Sequence, residues 1–275
     1  MVNELACGEN DVQITQRGVR FRIANRKFFV QSWAMRKLRF AVTLIVLLSC
    51  SIVGAQDKKS KKARKPNPAM AKVEDVAGLP RVLIVGDSIS IGYTVGVRKL
   101  LEGKANLHRP LANCGPTHTA VKKIDEWLQT GGDGKKWDVI HFNWGLHDLK
   151  YMGADGSNLA DPKNAKNHQQ VPPAEYEKNL TALVEKLKAT GAKLIWRNTT
   201  PVPPGTKGRL PGDSVIYNKI ATKIMTANDI PTHDLYTVSK ERMDELMLPA
   251  NVHFKPAGSK VLAELVTARI LEELK

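Results

Sequence analysis

The chain has 275 residues, of which 42% are hydrophobic and 25% are charged. This composition is ordinary for a globular protein and excludes a wholly disordered chain, a collagen and a polytopic membrane protein. At about 100–200 residues per domain, the length allows one or two domains. The formal charge is +15, but residues 1–80 carry a net charge of +9 and residues 81–275 only +6. Because most of the basic excess precedes the regularly patterned part, we expect no nucleic-acid partner.

Residues 35–55 have the features of a secretory signal peptide. A basic start at Met35 is followed by an uncharged apolar run of 14 residues, Phe40 to Val53, and then by small residues. The run is shorter than the about 17–25 residues that cross a bilayer. We therefore predict an exported protein, located in the periplasm, at the cell surface or in the medium. On the simplest interpretation Met35 is the true start and residues 1–34 are an incorrectly assigned start; the alternative is that residues 1–34 form a long, unusual leader.

The three cysteines bear on lipidation, disulfides and metal binding. The string Leu47–Cys50 resembles a lipoprotein box, in which Cys50 would carry a lipid, although Leu48 fits such a box poorly. Membrane contact is thus expected only through the signal peptide or through a lipid on Cys50. Beyond the N-terminal third the sequence has only Cys114, so no disulfide framework is expected, and no spacing typical of a zinc site occurs. We expect no metal and no other cofactor.

Residues 56–79 are expected to form a solvated linker. Six of the eight residues 58–65 are basic, Pro66 and Pro68 follow, and the segment has no apolar period. Like charges repel, and such a segment has little apolar surface to bury. The folded domain is therefore expected over residues 80–275.

From residue 80 onward, apolar strands alternate with amphipathic helices. Short apolar runs predict strands, at residues 81–86, 105–110, 137–142, 193–197 and 230–235. Apolar residues at helical spacing predict helices between them, over residues 91–101, 117–128, 175–190 and 214–228, and after Pro256. This alternation predicts a parallel sheet of about five strands with helices on both faces. Ligands of such sheets bind beyond the carboxyl ends of the strands, which makes the residues there candidates for the site.

Polar residues follow the predicted strand ends. The first strand ends in Gly86-Asp87-Ser88, so a hydroxyl lies at a strand-to-helix turn, next to a backbone N–H that can face an oxyanion. Taken alone, this triplet also fits a turn or a helix cap. Gly115 follows the second strand, the string 143–148 (Asn-Trp-Gly-Leu-His-Asp) follows the third, and His253 precedes the last helix. A hydroxyl, an imidazole and N–H donors are the groups that nucleophilic catalysis on an ester uses.

This order of blocks resembles that of the SGNH (GDSL-type) hydrolase superfamily, a group of serine esterases and lipases. The resemblance covers about residues 80–275. It implies a flavodoxin-like three-layer α/β/α sandwich with the strand order 2-1-3-4-5. It also implies that Ser88 is the nucleophile, that the Gly115 N–H donates to the oxyanion, and that His253 is the general base. The Ser88 N–H is expected to donate to the same oxyanion.

The third block departs from the family pattern. It usually reads Gly-x-Asn-Asp, with the Asn amide completing the oxyanion hole, whereas here His147 takes that place and Asp148 follows it. An imidazole N–H can donate the same hydrogen bond, and Asn143 is an alternative donor. His147 also fits a structural role in which it bonds to Asp148. Asp87 and Asp148 are expected to support the site.

The last block departs from the pattern too. It usually reads Asp-x-x-His, where the Asp orients the histidine, but Ala250 stands three residues before His253 and has no side-chain acceptor. The third member of a catalytic triad sets the tautomer of the imidazole and stabilises its charged form. A backbone carbonyl near Ala250, or Asp234 at the end of the last strand, is the expected replacement. The sequence therefore predicts a Ser88–His253 dyad with a non-standard helper.

The resemblance and the export signal together imply an exported serine ester hydrolase that works through an acyl-enzyme. Because exported members of the family often deacetylate polysaccharides, we expect a carbohydrate O-acetyl esterase or another short-chain carboxylesterase. Its substrate is then a small-molecule or polysaccharide ester. Two alternatives stay open. One is an O-acyltransferase with the same nucleophile, and the other is a catalytically weak glycan-binding relative, which the missing Asp favours.

Overall fold

Our computed structural model describes residues 66–275. A parallel sheet of five strands lies at the centre of this part of the chain. The strands in chain order are β1 (Arg81–Val85), β2 (Asn106–His108), β3 (Val139–Phe142), β4 (Tyr151–Met152), β5 (His168–Gln169), β6 (Lys193–Arg197) and β7 (Thr232–His233). The sheet order is β2-β1-β3-β6-β7 with every neighbouring pair parallel, while β4 and β5 form a separate antiparallel pair. Counted within the sheet, this is the predicted order 2-1-3-4-5, which is confirmed.

The central strands β1 and β3 are largely apolar, and both of their faces are covered. In β1 the residues from Val82 to Val85 are buried, and in β3 all four residues are. Near-continuous apolar runs of this kind are typical of parallel sheets. The chain leaves β1 toward one edge, forms β2, and then returns to the other side of β1 as β3. A crevice opens at such a reversal, beyond the carboxyl ends of the strands, and the loops after β1 and β3 lie there.

Helices cover both faces of the sheet, as predicted. In chain order they are α1 (Ser88–Leu100), α2 (Thr117–Leu128), α3 (Pro173–Lys188), α4 (Asp213–Ala227), α5 (Leu235–Glu241), α6 (Met243–Leu246) and α7 (Pro256–Glu273). Helix α1 packs against α7, whereas α2 packs against α3, and α3 against α4. Right-handed crossovers in opposite directions along the sheet put these two groups on opposite faces. The three-layer α/β/α sandwich is thereby confirmed.

Helix α1 begins at Ser88, earlier than the predicted start at residue 91. Asp87 is its N-cap, and the carboxylate accepts a hydrogen bond from the Ile89 N–H at 3.0 Å. Apolar periodicity detects the buried face of a helix and not its cap, so it starts the helix too late. The cap places the Ser88 hydroxyl at the first helical position, directly at the strand-to-helix turn.

Residues 66–79 pack against the domain, in contrast to the solvated linker predicted for residues 56–79. A 3₁₀ turn at Pro68–Met70 buries the Ala69 side chain. Further along, the Asp75 carboxylate accepts hydrogen bonds from Lys135 at 2.6 Å and from the His108 ring at 2.7 Å. Burial opposes ionisation, but these hydrogen bonds lower the pKa of Asp75 to about 2. Partners elsewhere in the fold therefore order a segment that has no apolar period of its own.

The predictions for residues 1–65 lie outside the described residues. They concern the start or leader at 1–34, the signal peptide at 35–55, lipidation of Cys50 and the basic run at 58–65. Within residues 66–275, no helix combines the length and the apolar character that crossing a bilayer requires. Export and lipidation thus stay predictions.

Candidate active site

Ser88 and His253 meet at the rim of the sheet, although 165 residues separate them in the chain. Ser88 lies at the start of α1, directly beyond the carboxyl end of β1. His253 lies in the turn ahead of α7. The Ser88 Oγ is 2.9 Å from His253 Nε2, which is a hydrogen-bond distance. The predicted nucleophile and the predicted base are thus in direct contact.

The second ring nitrogen of His253 is held by Asn251, which the sequence analysis did not single out. Asn251 Oδ1 is 3.0 Å from the backbone N–H of His253 and 2.8 Å from its ring Nδ1. Because a backbone N–H only donates, the Asn251 atom that it meets must be the amide oxygen. An amide oxygen only accepts, so Nδ1 must carry the ring hydrogen. His253 Nε2 is then free to accept the hydrogen of the Ser88 hydroxyl, which is the tautomer that a general base needs.

The predicted helpers of His253 lie elsewhere, so that expectation is wrong. Asp234 caps helix α5 instead: its carboxylate accepts hydrogen bonds from the N–H of Thr237 at 3.0 Å and from Asn198 Nδ2 at 2.7 Å. The His253 Nδ1 meets the Asn251 side chain and not a backbone carbonyl near Ala250. The signal that was missed is an Asn two residues before the histidine, because Asn side chains commonly bond the backbone two residues on.

A cavity of about 290 Å³ opens beside the Ser88–His253 pair. His147, from the loop after β3, and Asn113, from the loop after β2, line it as well. Larger cavities of about 520 and 610 Å³ lie elsewhere on residues 66–275, but neither is lined by a serine and a histidine together. The chemistry of the side chains, and not the volume, therefore selects the smaller cavity.

His147 has the properties of a neutral hydrogen-bond donor. The residue is half-buried, and burial lowers the pKa of its imidazole. The negative charge of Asp87 opposes this shift, whereas the positive charges of Lys150 and Arg209 add to it. At neutral pH the ring is therefore uncharged and keeps one N–H, which can donate to an oxygen in the cavity.

Two other predicted oxyanion donors are turned to different partners. The Gly115 N–H donates to Asn113 Oδ1 at 3.1 Å, and Gly115 does not line the cavity. Asn143 is buried beneath the site, where its Nδ2 donates to the Arg197 carbonyl at 2.7 Å and its Oδ1 accepts from the Arg197 guanidinium. The Ser88 N–H, by contrast, makes no hydrogen bond with any residue between 66 and 275.

The two aspartates predicted to support the site are both buried. Asp87 caps α1, and its carboxylate lies 3.7 Å from the Arg197 guanidinium. Asp148 accepts hydrogen bonds from the N–H of Thr117 at 2.7 Å and from its hydroxyl at 2.5 Å, and so ties the loop after β3 to the start of α2. Burial raises the pKa of Asp148 to about 7 against the effect of these hydrogen bonds. The alternative in which His147 bonds Asp148 is thus not seen.

The cavity also has two positive side chains that the sequence analysis passed over, Lys150 and Arg209. Both are half-buried. No group of three or more metal-ligating side chains occurs in the part of the chain that the structure describes. The arrangement therefore offers a hydroxyl, an oriented imidazole and N–H donors around one positively charged cavity.

No protein-family model matches the chain, and no curated protein sequence matches it either. Solved structures do. An acetyl xylan esterase, AlAXEase, has a TM-score of 0.55 and 15% identity, with 69% of this chain and 99% of that one covered. The chain shares its fold with this esterase. A lipase/acylhydrolase from Enterococcus faecalis has a TM-score of 0.54 and 19% identity over 70% of this chain and 95% of that one.

A further structure with this fold is Axe2, an acetylxylan esterase from Geobacillus stearothermophilus. Its TM-score is 0.52 at 16% identity, with 73% of this chain and 96% of that chain covered. In each of the three comparisons nearly the whole of the other chain is matched by about 70% of this one. The fold that the SGNH resemblance implied is thereby confirmed.

Proposed function

We propose that this protein is a serine hydrolase of carboxylic esters. The observation that carries the proposal is the hydrogen-bonded chain from Ser88 Oγ through the His253 ring to Asn251 Oδ1, at the mouth of a cavity. Hydrogen-bonded chains of this kind activate a hydroxyl for attack on a carbonyl carbon. The fold shared with esterases and acylhydrolases supports the same reaction class.

The reaction proceeds in two halves. Ser88 Oγ bonds to the ester carbonyl carbon while its proton passes to His253 Nε2, and the carbonyl oxygen becomes negatively charged. The Ser88 N–H and the His147 ring donate hydrogen bonds to that oxygen. The bond to the alcohol then breaks, and His253 gives its proton to the departing oxygen. Water repeats the sequence on the acyl-enzyme and releases the acid.

Asn251 acts on this reaction as a positioning residue. Its amide oxygen accepts the hydrogen on His253 Nδ1 and keeps Nε2 directed at the hydroxyl. An amide has no net charge, so it stabilises the imidazolium less than an aspartate does. The glycan-binding alternative rested on the missing Asp, and Asn251 supplies an acceptor in its place.

The substrate that we propose is a short-chain ester, and within that class a carbohydrate O-acetyl ester. The cavity of about 290 Å³ leaves room for a small acyl group and part of an alcohol. Two of the structures with this fold are acetyl xylan esterases by their own description. The export signal at residues 35–55 would bring the protein to polysaccharide outside the cytoplasm.

The test uses the purified protein with 4-nitrophenyl acetate and with acetylated xylo-oligosaccharide. Ser88→Ala should lower kcat/KM by at least about 10³-fold. A fluorophosphonate probe should label Ser88, as located by mass spectrometry. Ser259→Ala, at a half-buried serine on α7, is the matched control and should keep activity and labelling.

Equal hydrolysis by the wild type and Ser88→Ala would contradict the proposal. Adding a free sugar to the assay separates hydrolysis from acyl transfer. Faster appearance of an acylated sugar than of free acid would assign the same nucleophile to an acyltransferase.

A further inference from the structure

The cavity beside Ser88 contains a pair of cations without carboxylate partners. Lys150 and Arg209, here called the cation pair, line the cavity together with Ser88 and His253. Both side chains are half-buried, and neither forms a salt bridge with an acidic residue between positions 66 and 275. A half-buried cation loses part of its hydration, and an anion normally compensates that loss. The charge of Asp87 reaches Arg209, but no carboxylate among the described residues forms an ion pair with either cation.

The backbone holds the cation pair at this position. Arg209 Nε donates to the Leu146 carbonyl at 3.0 Å, next to His147, and the terminal nitrogens of the guanidinium make no hydrogen bond with a described residue. The Tyr151 N–H donates to the Gly208 carbonyl at 2.8 Å, which joins the residue after Lys150 to the residue before Arg209. The two cations are therefore brought together by one backbone contact.

A glycine is required at that contact. Gly208 has a φ of +64°, and a Cβ at this position would lie 2.4 Å from the Cα of Leu159, which also lines the cavity. Only glycine allows so close an approach in this backbone conformation. The backbone that carries the cation pair is thus fixed by the fold.

The acidic groups near the cavity are already engaged. Asp87 is the one acidic residue among those lining it, and its carboxylate accepts the Ile89 N–H and lies 3.7 Å from Arg197. Asp148 is buried and bonded to Thr117, away from the cavity. Burial lowers the pKa of Lys150, and the nearby charge of Arg209 lowers it further, while Asp148 opposes the shift. The charge of an anionic ligand would act against both of the effects that lower the pKa of Lys150.

We infer that the substrate is an ester of a negatively charged sugar, and that the cation pair binds its carboxylate or sulfate group. The inference rests on the proposed function for the reacting ester, but the binding step itself does not need the Ser88 hydroxyl. The proposed acyl group is too short to hold a charge of its own, which assigns the anion to the sugar. Arg209 presents a planar fork to such a group and Lys150 a point charge, and both form charge-assisted hydrogen bonds.

The test compares three monoacetylated sugars: glucose, glucuronate and glucose 6-sulfate. The wild type should show a kcat/KM at least about 10-fold higher for a charged ester than for the neutral one, because only a charged sugar forms charge-assisted hydrogen bonds with the cation pair. The better of the two charged esters identifies the anion as carboxylate or sulfate. Lys150→Gln should reduce the preference to less than about 3-fold, chiefly through KM. Lys207→Gln, at an exposed lysine outside the cavity, is the matched control and should keep the preference.

Calorimetric titration of Ser88→Ala with the same three sugars tests binding apart from turnover. Tighter binding of a charged sugar than of acetylglucose supports the inference, even if the wild type hydrolyses none of them and the proposed function fails. Equal binding of all three sugars, together with equal kcat/KM values in the wild type, would overturn it. A Lys150→Gln variant that lost activity equally on neutral and charged esters would overturn it too, because the lysine would then act on the reaction and not on the charge.

Discussion

The two halves of the candidate site are held in place by different means. Ser88 follows β1, and its turn is supported from the buried side, where Arg109 donates to the Gly86 carbonyl at 3.2 Å. His253 lies in an exposed turn, where the single side chain of Asn251 contacts both its ring and its backbone. The nucleophile is thus positioned by the core of the fold, and the base by a local turn.

Because of this difference, substitutions in the two halves should have different effects, one on stability and the other on the reaction rate. A substitution in the buried network beneath Ser88 should lower the free energy of unfolding, because it leaves charges without partners inside the protein. A substitution in the exposed turn should slow the reaction and leave the stability nearly unchanged, because water can reach the groups that it frees.

Arg197→Met should produce the largest effect. The guanidinium bonds Asn143 and lies 3.7 Å from the Asp87 carboxylate, and all three side chains are buried. Removing one partner of a buried ion pair costs about 3–5 kcal/mol. Urea denaturation measures the change in the free energy of unfolding. Lys193→Met, at an exposed position of the same strand, is the control and should change it by less than about 0.5 kcal/mol. A loss of less than about 1 kcal/mol for Arg197→Met would show that the network does not support the fold.

His147→Ala should lower kcat by about 10²–10³-fold, because one oxyanion donor is lost. His147→Asn introduces the residue that the SGNH family usually has at this position and keeps an N–H donor. It should therefore lower kcat by less than about 10-fold. Steady-state kinetics with 4-nitrophenyl acetate measures both. If His147→Ala lowers kcat by less than about 10-fold, the imidazole is not serving as a donor, and the Ser88 N–H must act with another group.

Asn251→Ala should lower kcat by about 10–100-fold, less than the loss of a charged triad member, because a neutral amide contributes orientation and little charge stabilisation. The free energy of unfolding should fall by no more than about 1 kcal/mol, since the turn is exposed. Together these two measurements distinguish a positioning residue from a structural one. A large loss of stability with unchanged kcat would assign Asn251 a structural role only.

The same position offers a test of charge. Asn251→Asp keeps an acceptor for the hydrogen on His253 Nδ1 and adds a negative charge that favours the protonated ring. The acid limb of the pH profile of kcat/KM should therefore move to higher pH. The reason is that the ring takes up a proton, and so stops acting as a base, at a higher pH than in the wild type. Asn251→Ala should not produce this displacement. An unchanged acid limb in Asn251→Asp would mean that the side chain at 251 does not face the ring.

Asp148→Asn should produce the smallest change. Burial raises the pKa of Asp148 to about 7 from its ordinary 3.8, so the folded state keeps a proton that the unfolded chain releases. The contribution of Asp148 to the free energy of unfolding is at its full value below about pH 4, and it is lost as the pH rises through about 7. The amide of Asn at position 148 does not titrate. Between pH 5 and 8 the free energy of unfolding of the wild type should therefore fall by at least about 1 kcal/mol relative to that of the variant. Urea denaturation at both pH values measures the difference. Parallel stability curves would show that Asp148 is already ionised at pH 5.

The layout of the sheet could be predicted because its signals are local. The apolar run of β1 and the helical period of α3 are each contained in fewer than twenty consecutive residues. The start of α1 was missed by a few residues because its cap, Asp87, lies outside the periodic stretch. The packing of residues 66–79 against the domain was missed for a different reason. Their partners, among them His108 and Lys135, lie in later parts of the chain.

Within the site, the sequence specifies the reactive pair, and the tertiary structure specifies its surroundings. Ser88 is identifiable because a Gly-Asp-Ser triplet ends a strong apolar strand, and His253 because it precedes the last helix. The acceptor of the His253 ring, Asn251, lies only two residues earlier, so a local spacing indicates it. Where Lys150 and Arg209 point and which side chains line the cavity depend on side-chain directions across loops far apart in the chain. No local period or motif encodes those directions, because they follow from how the loops pack at the end of the sheet.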